Sequence, residues 1–327
     1  MFNKIAVIGA GSWGTTLACL LGERYGITLW VRELELVEII KKTRINKWFL
    51  PWCKLPETVQ VTNSLEEAVT DADLLVTAIP SKFLRDIAKK FASYVNKKAI
   101  VVDVAKGLEY KTFKRMSQVL EEELPSDVKI VALSGPNHAE EVSKRIPTAT
   151  VIASKHQECL PQIKKIFTRD YFKVYEHDDI VGVEICGAVK NIVAIATGIC
   201  DGLGFGDNAR ASIITLGLTE MNKIGRYFGA KRKTVYGLAG VGDLVATCTS
   251  KHSRNRYVGE MLGKGFSMDE IKKRMHGMVA EGVMTTRAVY EFSIKNHIFL
   301  PLTSQVYKII YESKDINMAI SDLIRLI

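Results

Sequence analysis

The sequence predicts an α/β protein in which a doubly wound parallel sheet is followed by an all-helical domain. Its 327 residues exceed the roughly 100–200 residues of a single domain, so two domains are expected. Short β-rich runs alternate with helical stretches in the first half, as in a parallel sheet covered on both faces. After about Asp179 long apolar segments of helical period follow, which predicts a sheet domain over 1–180 and a helical domain over 181–327.

Apolar runs and their periods give the individual elements. The predicted strands are Lys4–Ile8, Ile27–Val31, Leu74–Ile79, Ala99–Val104, Ile130–Leu133, Ala149–Ala153 and Lys173–Tyr175. The helices predicted between them are Thr15–Tyr25, Leu34–Lys42, Leu65–Val69, Lys82–Ser93 and Thr112–Leu124. The helices predicted for the second domain are Gly182–Gly198, Asn208–Phe228, Leu238–Ala246, Asn255–Leu262, Met268–Met275, Thr285–Asn296 and Leu302–Glu312.

The charge of the chain limits the classes of partner. With 47% hydrophobic and 25% charged residues the composition is that of a packed protein. The formal charge of +9 is compatible with nucleic acid, an anionic membrane surface or small anionic ligands. Basic clusters such as Lys41–Arg44 and Lys231–Lys233 are short and lack interleaved aromatic residues, so we expect no nucleic-acid partner.

The cysteines and the apolar runs indicate the compartment. Six cysteines occur without a Cys-x-x-Cys pair or a histidine placed to complete a zinc site, so no metal is expected and a reducing compartment fits best. The N-terminus enters a strand directly, without the pattern of a secretory leader. The apolar run Ile185–Cys200 contains Lys190 and Asn191 and is shorter than the about 20 residues of a membrane span. We expect a cytoplasmic protein without stable membrane insertion.

A glycine motif, Gly9-x-Gly11-x-x-Gly14, follows the first predicted strand and opens the first helix. In this context Gly9 permits the tight turn, Gly11 lets the backbone approach a pyrophosphate and Gly14 lets the helix pack on the strand. The amides at the helix start then face the anion. A glycine-rich turn without a ligand is the alternative. The strand, turn, helix and second strand in succession favour a Rossmann-type dinucleotide-binding domain.

The end of the second predicted strand bears on the cofactor. About 20 residues beyond the glycines an acidic residue usually binds the adenosine ribose, and here Arg32 precedes Glu33. A guanidinium suits the 2′-phosphate of NADP, whereas Glu33 suits NAD. Arg32 as an ordinary surface residue is the alternative. The sequence favours NADP(H) and leaves NAD(H) open.

A lysine lies in the middle of an apolar helix. The segment Gly182–Gly198 is apolar nearly all round, which predicts a buried helix, and Lys190 and Asn191 lie at its centre. A buried ammonium has a displaced pKa that suits proton transfer. A lysine that extends to the surface or forms a structural ion pair is equally compatible with the periodicity.

Polar residues lie near the starts of two later predicted helices. Asp243 follows the glycine-rich stretch Gly237–Gly242 and could orient an ammonium, or could be only a helix cap. Ser253, Arg254 and Asn255 precede a helix and together offer a hydroxyl, a guanidinium and an amide to a phosphate. Ser253 as a simple cap is the alternative.

Six motifs occur in one order: Gly9–Gly14 (GAGSWG), Val104–Glu109 (VAKGLE), Ser134–Glu140 (SGPNHAE), Glu184–Asn191 (EICGAVKN), Gly237–Asp243 (GLAGVGD) and Ser253–Asn255 (SRN). Together they resemble the bacterial-type NAD(P)-dependent glycerol-3-phosphate dehydrogenases. The resemblance extends from the N-terminus to at least Glu281. It implies reversible reduction of dihydroxyacetone phosphate, a small phosphorylated three-carbon substrate, to sn-glycerol 3-phosphate for phospholipid synthesis, with NADP(H) or NAD(H), by a homodimer.

The resemblance also implies residue roles. Lys190 is expected to be the acid/base on the C2 oxygen. The implied substrate-binding residues are Lys106, Gly135, Asn137, Lys190, Asp243, Ser253, Arg254 and Asn255. The implied cofactor-binding residues are Gly9, Gly11, Ser12, Trp13, Gly14, Arg32, Lys106, Ala139, Arg254, Val279 and Glu281. We expect Lys106 to lower the pKa of Lys190 by repulsion, and Asp243 and the substrate phosphate to raise it.

Two positions depart from the family pattern. Asn137 stands where Ser or Thr is usual, so an amide replaces a hydroxyl as donor to the substrate. Leu216 stands where Arg is common, so the role of that arginine is not carried over.

Two other functions compete with this one. A hydroxyacid or sugar-acid dehydrogenase would have the same two domains and a lysine, but would require a substrate carboxylate; the motif Ser253–Asn255 argues against it. A cofactor-sensing or nucleic-acid-binding protein without turnover would bind polyanions in a salt-sensitive way. The expected buried Lys190 argues against that function.

Overall fold

The structure, a computed structural model, describes residues 2–275 and 278–326 and divides into two units. The first unit holds the chain up to Ala105 together with Met116–Ile180, and the second holds Lys106–Arg115 and the chain from Val181 onward. The sequence-based boundary at residue 180 puts Lys106–Arg115 in the first domain, whereas its contacts assign it to the second unit. Arg115 forms a buried ion pair with Glu184, and Leu108 packs in the hydrophobic core of the second unit.

One mixed sheet forms the centre of the first unit. Its eight strands are β1 (Ile5–Ile8), β2 (Ile27–Trp30), β3 (Val59–Thr62), β4 (Leu74–Thr77), β5 (Ile100–Asp103), β6 (Lys129–Ser134), β7 (Thr148–Ser154) and β8 (Phe172–His177). They lie in the order β3-β2-β1-β4-β5-β6-β7-β8. The first six are parallel, β7 runs antiparallel to β6, and β8 runs parallel to β7. The order reverses between β1 and β4, where doubly wound sheets bind their ligands.

Helices cover both faces of this sheet. They are α1 (Ser12–Gly22), α2 (Leu34–Thr43), α3 (Leu65–Val69), α4 (Ser81–Phe91), α5 (Met116–Glu123), α6 (Ala139–Val142) and α7 (Leu160–Phe167). In β1, Ile5 and Val7 belong to one hydrophobic cluster, and Ala6 and Ile8 to another. Alternate side chains of a strand point to opposite faces, so this apolar strand is buried on both sides. The predicted Rossmann-type doubly wound sheet is confirmed.

The second unit is helical. Its helices are α8 (Ile180–Gly202), α9 (Asp207–Phe228), α10 (Arg232–Val235), α11 (Asp243–Thr249), α12 (Arg254–Gly263), α13 (Met268–Arg274), α14 (Glu281–Lys295), α15 (Pro301–Glu312) and α16 (Ile316–Leu326). A short π-helical turn, Leu238–Gly242, leads into α11. By length and composition alone α8 could cross a membrane, but 94% of its most apolar window is buried inside the protein. It is the core helix of this unit.

Glycines let α8 and α12 pack backbone to backbone. A Cβ atom added at Gly198 would lie 2.0 Å from the carbonyl oxygen of Arg256, and one at Gly259 would lie 1.9 Å from that of Ile195. Gly202 and Gly263 extend the same contact by one turn of each helix, with corresponding distances of 2.3 and 2.4 Å. This contact fixes α12, which begins at the predicted phosphate-binding residues, against the helix that carries Lys190.

Several elements differ from the prediction. Strand β3 was not predicted, because this short edge strand carries the exposed Gln60 and lacks a long apolar run. The helix predicted over Thr112–Leu124 begins only at Met116, since Lys111 and Phe113 have φ angles of +74° and +59°, which a right-handed helix excludes. The short helices α6, α7 and α10 and the last helix, α16, were also not predicted.

We expect Gly259→Ala to lower the free energy of unfolding by about 3 kcal/mol, because neither backbone at the α8–α12 contact can yield to the added methyl group. Chemical denaturation of the whole chain measures this change. Gly26→Ala is the control, since a Cβ at Gly26 meets nothing within 4 Å. Equal stability of the two variants would contradict the close helix contact.

Candidate active site

The glycine turn of the first unit has the geometry expected of a dinucleotide site. Gly9 has a φ angle of +114°, and a Cβ there would lie 2.6 Å from the carbonyl oxygen of Ala78. A Cβ at Gly14 would lie 1.9 Å from the carbonyl oxygen of Gly9, whereas one at Gly11 meets nothing within 4 Å. Gly9 and Gly14 are therefore required by the turn itself, and Gly11 borders open space.

The start of α1 adds anion-binding groups to this turn. Gly11 occupies the N-cap position without a side-chain cap, so the first amides of α1 remain available to a ligand. The Ser12 hydroxyl donates a hydrogen bond of 2.8 Å to the carbonyl oxygen of Phe49. The Trp13 ring packs near Phe172, with 6.3 Å between ring centroids. The open Gly11 and the uncapped helix start fit the pyrophosphate of a dinucleotide.

Arg32 and Glu33 follow the carboxyl end of β2, as predicted. The side chain of Arg32 is 70% exposed and that of Glu33 is 28% exposed. The guanidinium pairs with the carboxylate, with Nε donating to Oε1 at 2.7 Å. This surface pair places a guanidinium and a carboxylate side by side, so groups suited to the 2′-phosphate of NADP and to the ribose hydroxyls of NAD are both present at this strand end.

Three other predicted residues lie in the first unit, after β6. Gly135 has a φ angle of +144°, and a Cβ there would come within 3.0 Å of Thr150. The buried Asn137 amide donates to the hydroxyl of Thr150 at 3.1 Å. The carbonyl oxygen of Ala139 accepts a bond of 3.3 Å from the Thr16 hydroxyl. The amide at Asn137 is therefore held in place by a neighbouring strand.

A buried carboxylate joins two lysines in the second unit. The Lys190 Nζ lies 2.6 Å from Oδ1 of Asp243, and the Lys106 Nζ lies 3.0 Å from Oδ2. Lys190 is 4% exposed and Asp243 is 2% exposed. A charge buried this deeply needs ionic and hydrogen-bonded partners. Lys190 is therefore not a lysine that extends to solvent.

The local fold explains how Asp243 reaches this position. A Cβ at Gly240, within the π-helical turn, would lie 2.0 Å from the carbonyl oxygen of Val235, so this turn requires glycine. Asp243 is the first residue of α11, and Thr247 lies one turn later on the same face. The Thr247 hydroxyl accepts a hydrogen bond of 2.6 Å from the Lys190 Nζ and donates one of 3.2 Å to Asp243.

Burial and charge together tune the pKa of Lys190. Burial lowers this pKa most, Asp243 raises it, and Lys106 lowers it, with a net decrease from 10.5 to about 8. For Asp243, burial raises the pKa, but the two ammonium groups outweigh burial and hold it below its ordinary value. At neutral pH the carboxylate is charged, and Lys190 can gain or lose a proton near working pH.

A chain of amides connects the lysines to the neighbouring helices. The Asn191 amide donates to the carbonyl oxygen of Lys106 at 3.0 Å and accepts from the Asn255 amide at 2.8 Å. Asn255 in turn accepts from the backbone N–H of Gly282 at 2.9 Å. The Lys106 N–H donates to the Glu281 carboxylate at 3.4 Å. These bonds fix Lys106 relative to the starts of α12 and α14.

The start of α12 contains the predicted phosphate-binding residues. Ser253 is the N-cap, and its hydroxyl accepts the N–H of Arg256 at 3.2 Å, so the alternative role as a cap applies. Arg254 is exposed, and Asn255 is buried with its amide engaged in the hydrogen-bonded chain described above. With the N–H of Arg256 taken by Ser253, the guanidinium of Arg254 and the backbone N–H groups of Arg254 and Asn255 remain as donors for an anion.

Of the predicted site residues, the second unit brings Lys106, Lys190, Asp243, Asn255 and Glu281 into one hydrogen-bonded network. Val279 lies just before α14. Thr247 was not predicted, although its spacing of four residues from Asp243 in a helix was a usable signal. The sequence places Asn191 beside Lys190 in the apolar helix but does not predict its hydrogen bonds.

Two further observations concern residues outside this network. Leu216, where the family often has arginine, packs against the hydrophobic core of the second unit. Among residues 2–275 and 278–326 no group of three or more His, Cys, Asp or Glu side chains could hold a metal ion.

Comparison with known proteins finds similarity over nearly the whole chain. Models described as the N-terminus and the C-terminus of NAD-dependent glycerol-3-phosphate dehydrogenase match residues 4–160 and 179–321. The glycerol-3-phosphate dehydrogenase (NAD(P)+) of Chlorobium limicola is 49% identical over 323 residues, which cover 98% of this chain and 96% of that protein. The crystal structure of glycerol-3-phosphate dehydrogenase from Coxiella burnetii has a TM-score of 0.95 at 38% identity, with 98% of both chains covered.

A more distant structural neighbour has the same fold at low sequence identity. A ketopantoate reductase from Ralstonia eutropha has a TM-score of 0.64 at 14% identity, with 98% of this chain and 99% of that chain covered, and it shares the fold alone. The two family models, by contrast, cover both units. The chain therefore belongs to the NAD-dependent glycerol-3-phosphate dehydrogenase family.

Proposed function

We propose that this chain catalyses the reversible, NAD(P)H-dependent reduction of dihydroxyacetone phosphate to sn-glycerol 3-phosphate. The observation that carries the proposal is the buried Lys190, held by Asp243 with a pKa near 8, in a chain that also has a dinucleotide-binding turn. The names of the relatives and the start of α12 support a phosphorylated substrate.

Proton transfer is the part of the reaction that the second unit supplies. The nicotinamide, when bound, gives or takes the hydride at C2 of the substrate. In reduction the Lys190 ammonium donates a proton to the C2 oxygen, and in oxidation the neutral amine accepts it. Asp243 and Thr247 hold Nζ in one position, so the proton is directed along a single path.

Lys106 and Asp243 set the charge around Lys190. The Lys106 ammonium repels that of Lys190 and also offers N–H donors to a substrate oxygen. The Asp243 carboxylate accepts from both lysines, so it stays ionised while Lys190 changes its protonation state. Asp243 is therefore a positioning residue, and Lys190 is the acid/base.

The start of α12 supplies the groups for the substrate phosphate. Arg254 offers a guanidinium in the first turn, where the helix dipole also favours an anion. Asn255 is proposed to contribute its backbone N–H, because its amide oxygen is taken by Gly282 and one amide hydrogen by Asn191. Gly135 and Asn137 are also proposed as substrate-binding residues.

The first unit is proposed to hold the dinucleotide through Gly9, Gly11, Gly14, Ser12, Trp13, Arg32 and Ala139. The Arg32 guanidinium favours the 2′-phosphate of NADP, whereas the neighbouring Glu33 carboxylate can bind the ribose hydroxyls of NAD. Lys106, Arg254, Val279 and Glu281 are also proposed as cofactor-binding residues.

We further propose a cytoplasmic homodimer that serves phospholipid synthesis. Exposed apolar side chains support self-association: Tyr227, Ile294 and Phe299, in the second unit, are 54%, 59% and 57% exposed. Ile294 and Phe299 lie close in sequence to Asn296, which accepts from the Tyr227 hydroxyl at 2.6 Å. Large exposed apolar side chains are typical of protein interfaces.

Two measurements test the function directly. The whole chain should oxidise NADPH or NADH when dihydroxyacetone phosphate is added, and Lys190→Met should reduce kcat roughly 10³-fold while NADPH binding persists. Absorbance of the reduced cofactor gives kcat, and a fluorescence titration gives binding. Lys272→Met, at an exposed position, is the control and should turn over normally. Turnover by Lys190→Met at the normal rate would exclude Lys190 as the acid/base.

The pH dependence follows from the pKa of about 8 for Lys190. Reduction needs the protonated ammonium, so its kcat/KM should be constant at low pH and fall as the pH rises through about 8. Oxidation needs the neutral amine and should rise through the same pH. Initial rates in both directions locate the inflection. An inflection near 10.5, the ordinary lysine value, would show that burial and Lys106 do not act on Lys190 as described.

Arg254→Gln should raise the KM for dihydroxyacetone phosphate by roughly 10- to 100-fold, the loss of one charge-assisted hydrogen bond. Lys251→Gln removes an exposed neighbouring cation and is the matched control. At saturating cofactor, both variants should act alike on dihydroxyacetone, which lacks the phosphate. An equal effect of Arg254→Gln on the two substrates would assign Arg254 a role other than phosphate binding.

A further inference from the structure

Two cysteines of the first unit lie with their sulfur atoms 3.4 Å apart. Cys19 is on α1 and is 9% exposed, whereas Cys53 is half-buried in the segment between α2 and β3. They are 34 residues apart in the sequence, so their contact is set by tertiary structure. Neither residue belongs to the proposed catalytic groups.

The segment that carries Cys53 is anchored on the glycine turn. The Asn46 amide donates to the carbonyl oxygen of Ala10 and to the Thr15 hydroxyl, both at 2.8 Å. The carbonyl oxygen of Phe49 accepts from the Ser12 hydroxyl, also at 2.8 Å. A bridge between Ile45 and Lys54 closes the segment at its two ends. The segment that presents Cys53 is thus held against α1, with the two sulfur atoms 3.4 Å apart, compared with about 2.05 Å in a disulfide.

The two thiols differ in acidity. The hydrogen bond between the two thiols lowers the pKa of Cys53, and the positive charge of Arg145 adds to this effect, against the opposing effect of burial. The same hydrogen bond raises the pKa of Cys19, as does burial. The more accessible sulfur is therefore the better nucleophile, and the buried thiol keeps its proton.

We propose that Cys19 and Cys53 form a modification site at which a hydroperoxide produces a reversible intrachain disulfide. The Cys53 thiolate attacks one peroxide oxygen and breaks the O–O bond, which leaves a sulfenic acid and water or an alcohol. Cys19 then attacks the Cys53 sulfur, forms the S–S bond and releases a second water with its thiol proton. Two thiols are oxidised by two electrons, and one peroxide is reduced. An external dithiol reverses the step.

The disulfide would tie the segment Ile45–Lys54 to α1, next to the dinucleotide turn. In the reduced protein, hydrogen bonds from Asn46 and Ser12 hold this segment. In the oxidised protein a covalent bond restricts the unfolded chain as well, so oxidation should raise the Tm by roughly 5 °C. This inference is independent of the proposed substrate.

Peptide mapping of the full chain tests the proposal. After hydrogen peroxide treatment and alkylation of free thiols, a non-reducing tryptic digest should contain peptide 5–24 linked to peptide 48–54, which carry Cys19 and Cys53. Dithiothreitol should separate them. Cys53→Ser should abolish both the linked peptide and the rise in Tm, and Cys159→Ala, at another buried cysteine of this unit, should retain both.

The mapping of the unaltered chain decides the outcome even if Cys53→Ser folds poorly. A linked peptide that joins other cysteines would overturn the proposal, as would Cys53 oxidised to a sulfinic or sulfonic acid with Cys19 still free. Unreacted Cys19 and Cys53 after oxidation of an exposed methionine such as Met278 would also overturn it.

Discussion

A single buried carboxylate determines the organisation of the second unit. Asp243, 2% exposed, is stable as an anion only because Lys190 and Lys106 both bind it, and the removal of water from such a group costs several kcal/mol. Three separate stretches of chain must meet for this: the apolar helix α8, the glycine-dependent turn before α11, and the excursion Lys106–Arg115. Burial at this meeting point, together with the charge of Lys106, lowers the pKa of Lys190 to about 8 against the opposing effect of Asp243.

Glycine has two distinct uses in this chain. At Gly9, Gly14 and Gly240 it permits a backbone conformation or approach that the turn needs, and those turns present amides or a carboxylate. Between α8 and α12, Gly198 and Gly259 remove side chains from a helix contact altogether. The second use sets the distance between the helix of the acid/base and the start of the helix that we assign to the substrate phosphate. The positions of the functional groups in this unit therefore depend on the glycines of the helix contact as much as on the charged side chains.

The structure could be predicted from the sequence wherever residues close together along the chain determine it. The roles of Gly9 and Gly14 follow from a local turn, and the apolar period around Lys190 predicts a buried helix. The direction of the Lys190 side chain comes only from its contacts with Asp243 and Thr247. Tertiary effects were missed: strand β3 exists because β2 offers it an edge, and α5 starts late because Lys111 and Phe113 have left-handed conformations. The link from Asn191 through Asn255 to Gly282 joins residues 64 and 27 positions apart, and no pattern of spacing reveals such contacts.

The excursion Lys106–Arg115 has a consequence for biosynthesis. Arg115 pairs with Glu184, 69 residues later, and both side chains are buried. A ribosome therefore synthesises the whole of the first unit before it reaches Glu184, the carboxylate that pairs with Arg115 in the second unit. The sheet unit can form early. The segment Lys106–Arg115, which interrupts that unit in the sequence, can reach its final position only after α8 has been synthesised. A gene fragment that encodes only the later helices would in turn contain a buried glutamate without its cation and would lack Lys106, so neither half of this gene is a self-sufficient module.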